Sequence, residues 1–176
     1  IVGLGGVGLS ALLGAVVAGA RQIVAVDVNP NKLELAESLG ATDTFIAKDP
    51  DVVDRIRSRT GGGVEYAFET AGVVQAMQTA YRITRRGGVT ITSGLPHPKK
   101  QLSIPHVTLT AEERTIKGSY IGSCIPTRDI PRYIELYKQG RLPVDRLLTD
   151  TLPLEKINEG FDRLARGQAA RLVVTM

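Results

Sequence analysis

The sequence predicts an α/β fold: a doubly wound parallel sheet with helices on both faces, followed by a tail of α+β character. Three observations predict it. The chain opens on Ile1-Val2 and a glycine turn that runs into an apolar helix-like stretch. A short β-branched run then ends in an acid, Asp27, nineteen residues after Gly8. Strand-like and helix-like segments alternate to about residue 120, the pattern of parallel strands joined by right-handed crossovers.

Taken in order, Ile1-Val2 reads as the end of a buried strand. Residues 6–20 read as a helix with Ser10 as the only polar side chain, so both sides should be covered. Nothing later in the sequence obviously supplies the second cover, which points to an upstream domain or a partner. Residues 22–27 form the next strand. Residues 30–39 form a helix with Pro30 at its start and Gly40 closing it. A strand at 44–47, a short amphipathic helix at 51–57 ended by Gly61-Gly62-Gly63, and a strand at 64–69 follow. A helix near 73–83, a strand at 88–92, and strands at 102–104 and 114–120 complete the expected alternation. Two βαβαβ halves result.

Near Gly122–Thr127 the alternation stops. A helix at 128–139, a proline-punctuated connection at 142–152, a helix at 154–166 and a strand at 171–176 make up the tail. The expected division is a nucleotide-binding domain over 1–121 and a segment of another domain over 122–176. A two-residue opening strand is short for the centre of a parallel sheet, where strands average about five to six residues. The sequence therefore reads as the downstream part of a longer chain, and the lack of a targeting segment carries no information.

The glycine turn carries the chemistry. In Gly3-x-Gly5-x-x-Gly8, Gly3 permits the tight turn, Gly5 leaves room for a pyrophosphate, and Gly8 lets helix and strand pack closely. The free N–H groups at the helix start, from Gly6 and Val7 onward, favour an anion. Asp27 stands close to the spacing at which an acid reaches the adenosine ribose. The bland alternative is that Asp27 only caps the next turn. Its carboxylate also repels a 2′-phosphate by about 4 kcal/mol at 4 Å and an effective dielectric near 20. Val28, Asn29 and Pro30 offer no arginine to offset this, so the reading is NAD rather than NADP.

Composition excludes other classes. The net charge is +4 and the basic residues are dispersed, with three Phe, five Tyr and no Trp, which leaves no stacking platform for nucleic acid. No apolar run reaches the eighteen or so residues that a membrane span needs. The single cysteine, Cys124, allows no internal disulfide and fits a reducing, cytoplasmic setting. His97, His106 and Cys124 are far apart and in no ligand-like spacing, so no metal site is expected.

These residues together resemble the coenzyme-binding portion of the zinc-dependent medium-chain alcohol dehydrogenases. The likeness covers nearly the whole chain. Its anchors are Gly3-Leu4-Gly5-Gly6-Val7-Gly8, Val26-Asp27-Val28-Asn29, Leu39-Gly40-Ala41-Thr42, Arg114-Thr115-Ile116-Lys117-Gly118 and Leu154-Glu155-Lys156-Ile157-Asn158-Glu159-Gly160-Phe161. The resemblance implies a Rossmann domain of three αβα layers flanked by two parts of a catalytic domain. It implies that Lys32 reaches the ribose, that Arg171 pairs with the pyrophosphate, and that Val28, Thr70 and Ala71 border adenosine. Ser93, Gly94, Leu95, Ser119 and Ile121 would hold the nicotinamide. Catalytic residues and zinc ligands would lie upstream, so zinc is expected in a full-length enzyme but not on this segment. The strand 114–120 would be a sheet edge used for pairing with a second copy.

The activity expected is NAD-dependent interconversion of an alcohol and an aldehyde or ketone, with this segment inactive alone. Two other readings compete: a non-catalytic NAD-binding or dimerisation module, and a zinc-free quinone-reductase-like relative, which Asp27 disfavours.

Overall fold

The computed structural model describes all residues from Ile1 to Met176. Its helices are α1 (Gly6–Val17), α2 (Pro30–Ser38), α3 (Val52–Arg59), α4 (Val74–Ile83), α5 (His106–Ala111), α6 (Pro126–Lys138) and α7 (Ile157–Ala165). Its strands are β1 (Val24–Asp27), β2 (Asp43–Ile46), β3 (Val64–Glu69), β4 (Thr84–Thr92), β5 (Thr115–Gly118), β6 (Asp150–Pro153) and β7 (Leu172–Thr175).

Every pairing is parallel. β1 pairs with β2, and β4 lies between β3 and β5. Val2 joins the two ladders by bridging Val26 on one side and Glu69 on the other. The order across the sheet is thus β2, β1, the Val2 segment, β3, β4, β5. The opening residues are bonded on both sides despite their brevity. Gly3 N–H donates to Val26 O at 2.8 Å, and Val26 N–H to Ile1 O at 2.9 Å. On the other side, Val2 N–H donates to Phe68 O at 2.7 Å, and Thr70 N–H to Val2 O at 3.0 Å.

Side-chain alternation along the strands builds two cores, one on each face. Ile1, Ile23 and Ala25 point to Leu9, Leu12 and Leu13 of α1 and to Leu33 and Ala36 of α2. Val2, Val24, Val26 and Ala67 point to Val52, Val53 and Ile56 of α3 and to Ala80 and Ile83 of α4. Helices on both faces of a parallel sheet make the three-layer, doubly wound fold that the sequence predicts.

The structure corrects several element boundaries. α1 stops at Val17, not Ala20, because Gly19 turns left-handed at φ 75° and Ala20 N–H bonds back to Ala15 O. Residues 102–104 form no strand; they lead into α5, which sequence periodicity did not reveal in so short a run. β4 begins at Thr84 rather than Gly88. There the Thr84 hydroxyl is fully buried and bonded to both Ala80 O and Thr90 Oγ1 at 2.8 Å. The proline-punctuated connection contains a short 3₁₀ turn, Val144–Leu147, and β6. That turn supplies part of the cover for α1 that the sequence did not show: Leu147 and Leu142 pack into the α1 core. Val7 and Val16 stay exposed on the same helix. In the tail, β6 pairs in parallel with β7, with α7 between them in sequence.

Candidate functional site

Because all strands of the main sheet run the same way, the loops that leave them gather at one edge. These loops carry Gly3–Gly5, Val28–Asn29, Thr70–Gly72, Ser93–Leu95 and Ser119–Ile121. The sheet grows in opposite directions from the Val2 segment, and ligands of such sheets bind in the crevice at that switch point.

The glycine turn is shaped by close approach. Gly3 adopts φ 93°, which side-chain-bearing residues rarely do. A Cβ on Gly8 would sit 1.8 Å from Gly3 O and 2.7 Å from Thr70 Oγ1, so only glycine lets α1 come this near. A Cβ on Gly5 would meet nothing within 4 Å. Gly5 is also the N-cap of α1, with no side chain capping the helix and no acid in its first turn. The helix therefore presents its unpaired N–H groups and positive end to an open cradle. On the far rim a Cβ on Gly6 would lie 3.1 Å from Ala170 O and 3.6 Å from Arg171 Nη2. The tail thus returns Arg171 to the mouth of the turn, and Arg171 joins no ion pair.

Asp27 ends β1 and is buried. Its Oδ2 accepts the Leu4 N–H at 2.6 Å and its Oδ1 the Asn29 N–H at 2.9 Å. The carboxylate therefore does cap the next turn, and it also pins the glycine turn. Each oxygen keeps a further acceptor position, since a carboxylate offers about four lone-pair sites. Lys32 lies one turn into α2, its Nζ 3.5 Å from where a Gly167 Cβ would be, and Asn29 Nδ2 lies 3.5 Å from Gly167 O. The turn after α7 thus reaches Asn29 and the lysine.

The remaining expected residues line the same edge. Thr70 Oγ1 donates to Gly3 O at 2.6 Å, and a Gly3 Cβ would touch Ala71 Cβ at 2.8 Å. Ser93 N–H donates to Glu69 O, and Ser119 N–H to Thr92 O, both at 2.9 Å. Val7, Val28, Leu95, Tyr120 and Ile121 are all exposed here, an apolar rim around a polar floor. Ile121 holds φ 51°, strained for a β-branched residue, beside Gly122 and Ser123 in the same left-handed region.

A family model described as zinc-binding dehydrogenase matches residues 6–139. The chain belongs to the zinc-binding dehydrogenases. It is 37% identical over its whole length to an alcohol dehydrogenase 1 of Solanum tuberosum, of which it spans 47%. Among solved structures it matches an alcohol dehydrogenase zinc-binding domain protein from Burkholderia ambifaria with a TM-score of 0.94 and 36% identity. That match covers 99% of this chain and 47% of the other. Benzyl alcohol dehydrogenase of Acinetobacter calcoaceticus gives a TM-score of 0.95 at 33% identity, over 99% of this chain and 48% of that one. The chain spans about half the length of the relatives it matches.

In this zinc-binding dehydrogenase segment no group of three or more His, Cys, Asp or Glu side chains could hold a metal. No helix is long and apolar enough to cross a membrane. An open polar hollow lined by Arg21, Thr42, Asp43 and Arg59 lies at the amino ends of β1 and β2, away from the crevice. Sequence reasoning missed one residue of the site, Glu69. It ends β3 with 1% of its surface exposed. Its Oε1 accepts the N–H groups of Ala71 and Gly72 at 2.8 and 2.7 Å, and its Oε2 accepts the Thr92 hydroxyl at 2.7 Å. The only signal was an acid closing a predicted strand, in the same position that Asp27 holds in β1.

Proposed function

We propose that this chain is the coenzyme-holding part of an NAD-dependent alcohol dehydrogenase. The observation that carries the reading is the pairing of an uncapped α1 start, open in front of Gly5, with the buried Asp27 carboxylate beside it. A dinucleotide has the two complementary features: a pyrophosphate for the helix end and vicinal hydroxyls for the acid.

In this reading Gly6, Val7 and Gly8 offer backbone N–H groups to the pyrophosphate, and Arg171 adds a forked cation from the tail. Asp27 accepts from the adenosine ribose, with Lys32 beside it and Val28, Thr70 and Ala71 along the adenosine. Ser93, Gly94, Leu95, Ser119 and Ile121 seat the nicotinamide. NAD, when bound, supplies the hydride acceptor; the chain's own work is to orient that ring and exclude water. Zinc, which in this reading would be held outside this segment, would supply the Lewis acid for the alcohol oxygen. Residues 1–121 then form the coenzyme domain and 122–176 the returning piece of the catalytic domain, so that this segment binds NAD without turnover. β5 has one unpaired edge, and we assign it to pairing with a second copy. The unpaired Cys124 agrees with a cytoplasmic setting.

Calorimetric titration of the protein with NAD and NADP tests the reading. NAD should bind at least a hundredfold more tightly. Equal affinities would remove Asp27 from the ribose, and no binding of either would remove the function.

A further inference from the structure

Three acidic residues are buried as a whole: Asp27, Glu69 and Asp129. Asp129 is paired with Arg128 at 2.7 Å. Asp27 and Glu69 belong to no ion pair in the molecule. Both are satisfied by hydrogen-bond donors of the chain, and neither has a countercharge there. These two stand at matching places, at the ends of β1 and β3, the strands on either side of the Val2 segment. They therefore flank the crevice.

The ribose hydroxyls account for Asp27. They do not account for Glu69, which stands between the loop assigned to adenosine, at Thr70 and Ala71, and the loop assigned to the nicotinamide, at Ser93 to Leu95. Those loops converge on it closely. Its side chain holds Ala71, Gly72 and Thr92, and its carbonyl holds Ser93. A Cβ on Gly94 would lie 2.4 Å from Gly72 N and 2.5 Å from Glu69 Oε2. The loop assigned to the nicotinamide therefore packs directly on this carboxylate through the unsubstituted backbone of Gly94.

The two redox states of that ring differ in charge. The oxidised ring is a pyridinium cation and the reduced ring is neutral. A fixed anion behind the seat attracts the first and is indifferent to the second, and the buried setting weakens solvent screening. We propose that Glu69 is a positioning residue that also tilts binding toward the oxidised coenzyme, its carboxylate finding in the pyridinium the cation that the protein does not provide. This rests on the reading of the crevice as an NAD site.

The test compares affinities for NAD⁺, NADH and ADP-ribose in the protein and in three variants. Glu69→Gln keeps the shape and removes the charge; it should raise the ratio Kd(NAD⁺)/Kd(NADH) by about tenfold while ADP-ribose binds as before. Thr92→Ser trims a methyl group from the loop and keeps the hydroxyl that Glu69 Oε2 accepts, and Glu69→Asp keeps the charge; both should leave the ratio within about twofold. A Glu69→Gln ratio equal to that of the parent, or a Glu69→Asp ratio shifted as far as the Gln variant's, overturns the proposal. A second measurement needs no variant. Benzamide adenine dinucleotide, whose ring is neutral, should bind the unmodified protein about tenfold more weakly than NAD⁺, and equal binding also overturns it. Failure of ADP-ribose to bind the unmodified protein would instead overturn the coenzyme assignment itself.

Discussion

The Asp27 carboxylate accepts the backbone N–H of Leu4 at 2.6 Å, so the acid that would read the ribose also holds the glycine turn in place. One side chain thereby couples recognition to the shape of the cradle. The coupling crosses 23 residues of sequence and joins β1 to the loop that leaves its neighbour.

Replacing Asp27 should therefore have two effects. Asp27→Ser or Asp27→Gly should narrow the preference for NAD over NADP by two orders of magnitude or more, because about 4 kcal/mol of repulsion disappears. It should also lower stability by about 1–3 kcal/mol, since the buried N–H of Leu4 loses its acceptor. Titration of both coenzymes and urea unfolding report the two effects separately.

The glycines should separate fold from binding. Gly8→Ala drives a Cβ to 1.8 Å from Gly3 O, a backbone atom, and should cost more than about 4 kcal/mol or prevent folding. Gly14→Ala meets nothing within 4 Å inside an exposed part of α1 and should stabilise by about 0.5–1 kcal/mol. Gly5→Ala should leave the melting temperature nearly unchanged yet weaken NAD by at least tenfold, because its Cβ fills the space in front of the helix. Thermal unfolding and calorimetry on the three variants decide this.

Arg114 anchors the start of β5. Its side chain is 5% exposed, ion-paired with Glu112, bonded to Tyr81 O at 2.6 Å, and stacked over the Tyr81 ring at 4.9 Å. Arg114→Ala should destabilise by about 2–4 kcal/mol, and Arg114→Lys should recover less than half, because ammonium neither forks nor stacks as guanidinium does. Denaturant midpoints check the order of the three proteins.

Acid should weaken the start of α6. The Arg128 guanidinium, helped by the Ile125 N–H, holds the Asp129 carboxyl down at about 2, against 3.8 ordinarily. A depressed carboxyl stabilises the folded state above about pH 4, and that contribution fades as pH falls from about 4 to 2. Asp129→Asn should flatten the melting-temperature curve across that window and leave its slope above pH 5 unaltered.

The periodicities of the chain determined the fold class, the glycine turn and Asp27, because each is local: a strand, a turn and a helix start within about thirty residues. Glycine spacing alone identified the close approach at Gly8 and the open space at Gly5. Other features were decided only by the tertiary structure. The two-residue Ile1–Val2 segment becomes a central strand because Val26 and Phe68 bond it from both sides. Leu142 and Leu147 cover α1, and Arg171 reaches Gly6, only because the tail folds back across the sheet edge. Glu69 looked like any strand-end acid until the loops after β3 and β4 closed around it. Contacts between distant residues leave no periodic trace, so burial and charge pairing at such positions are set by packing and cannot be read from neighbours in the chain.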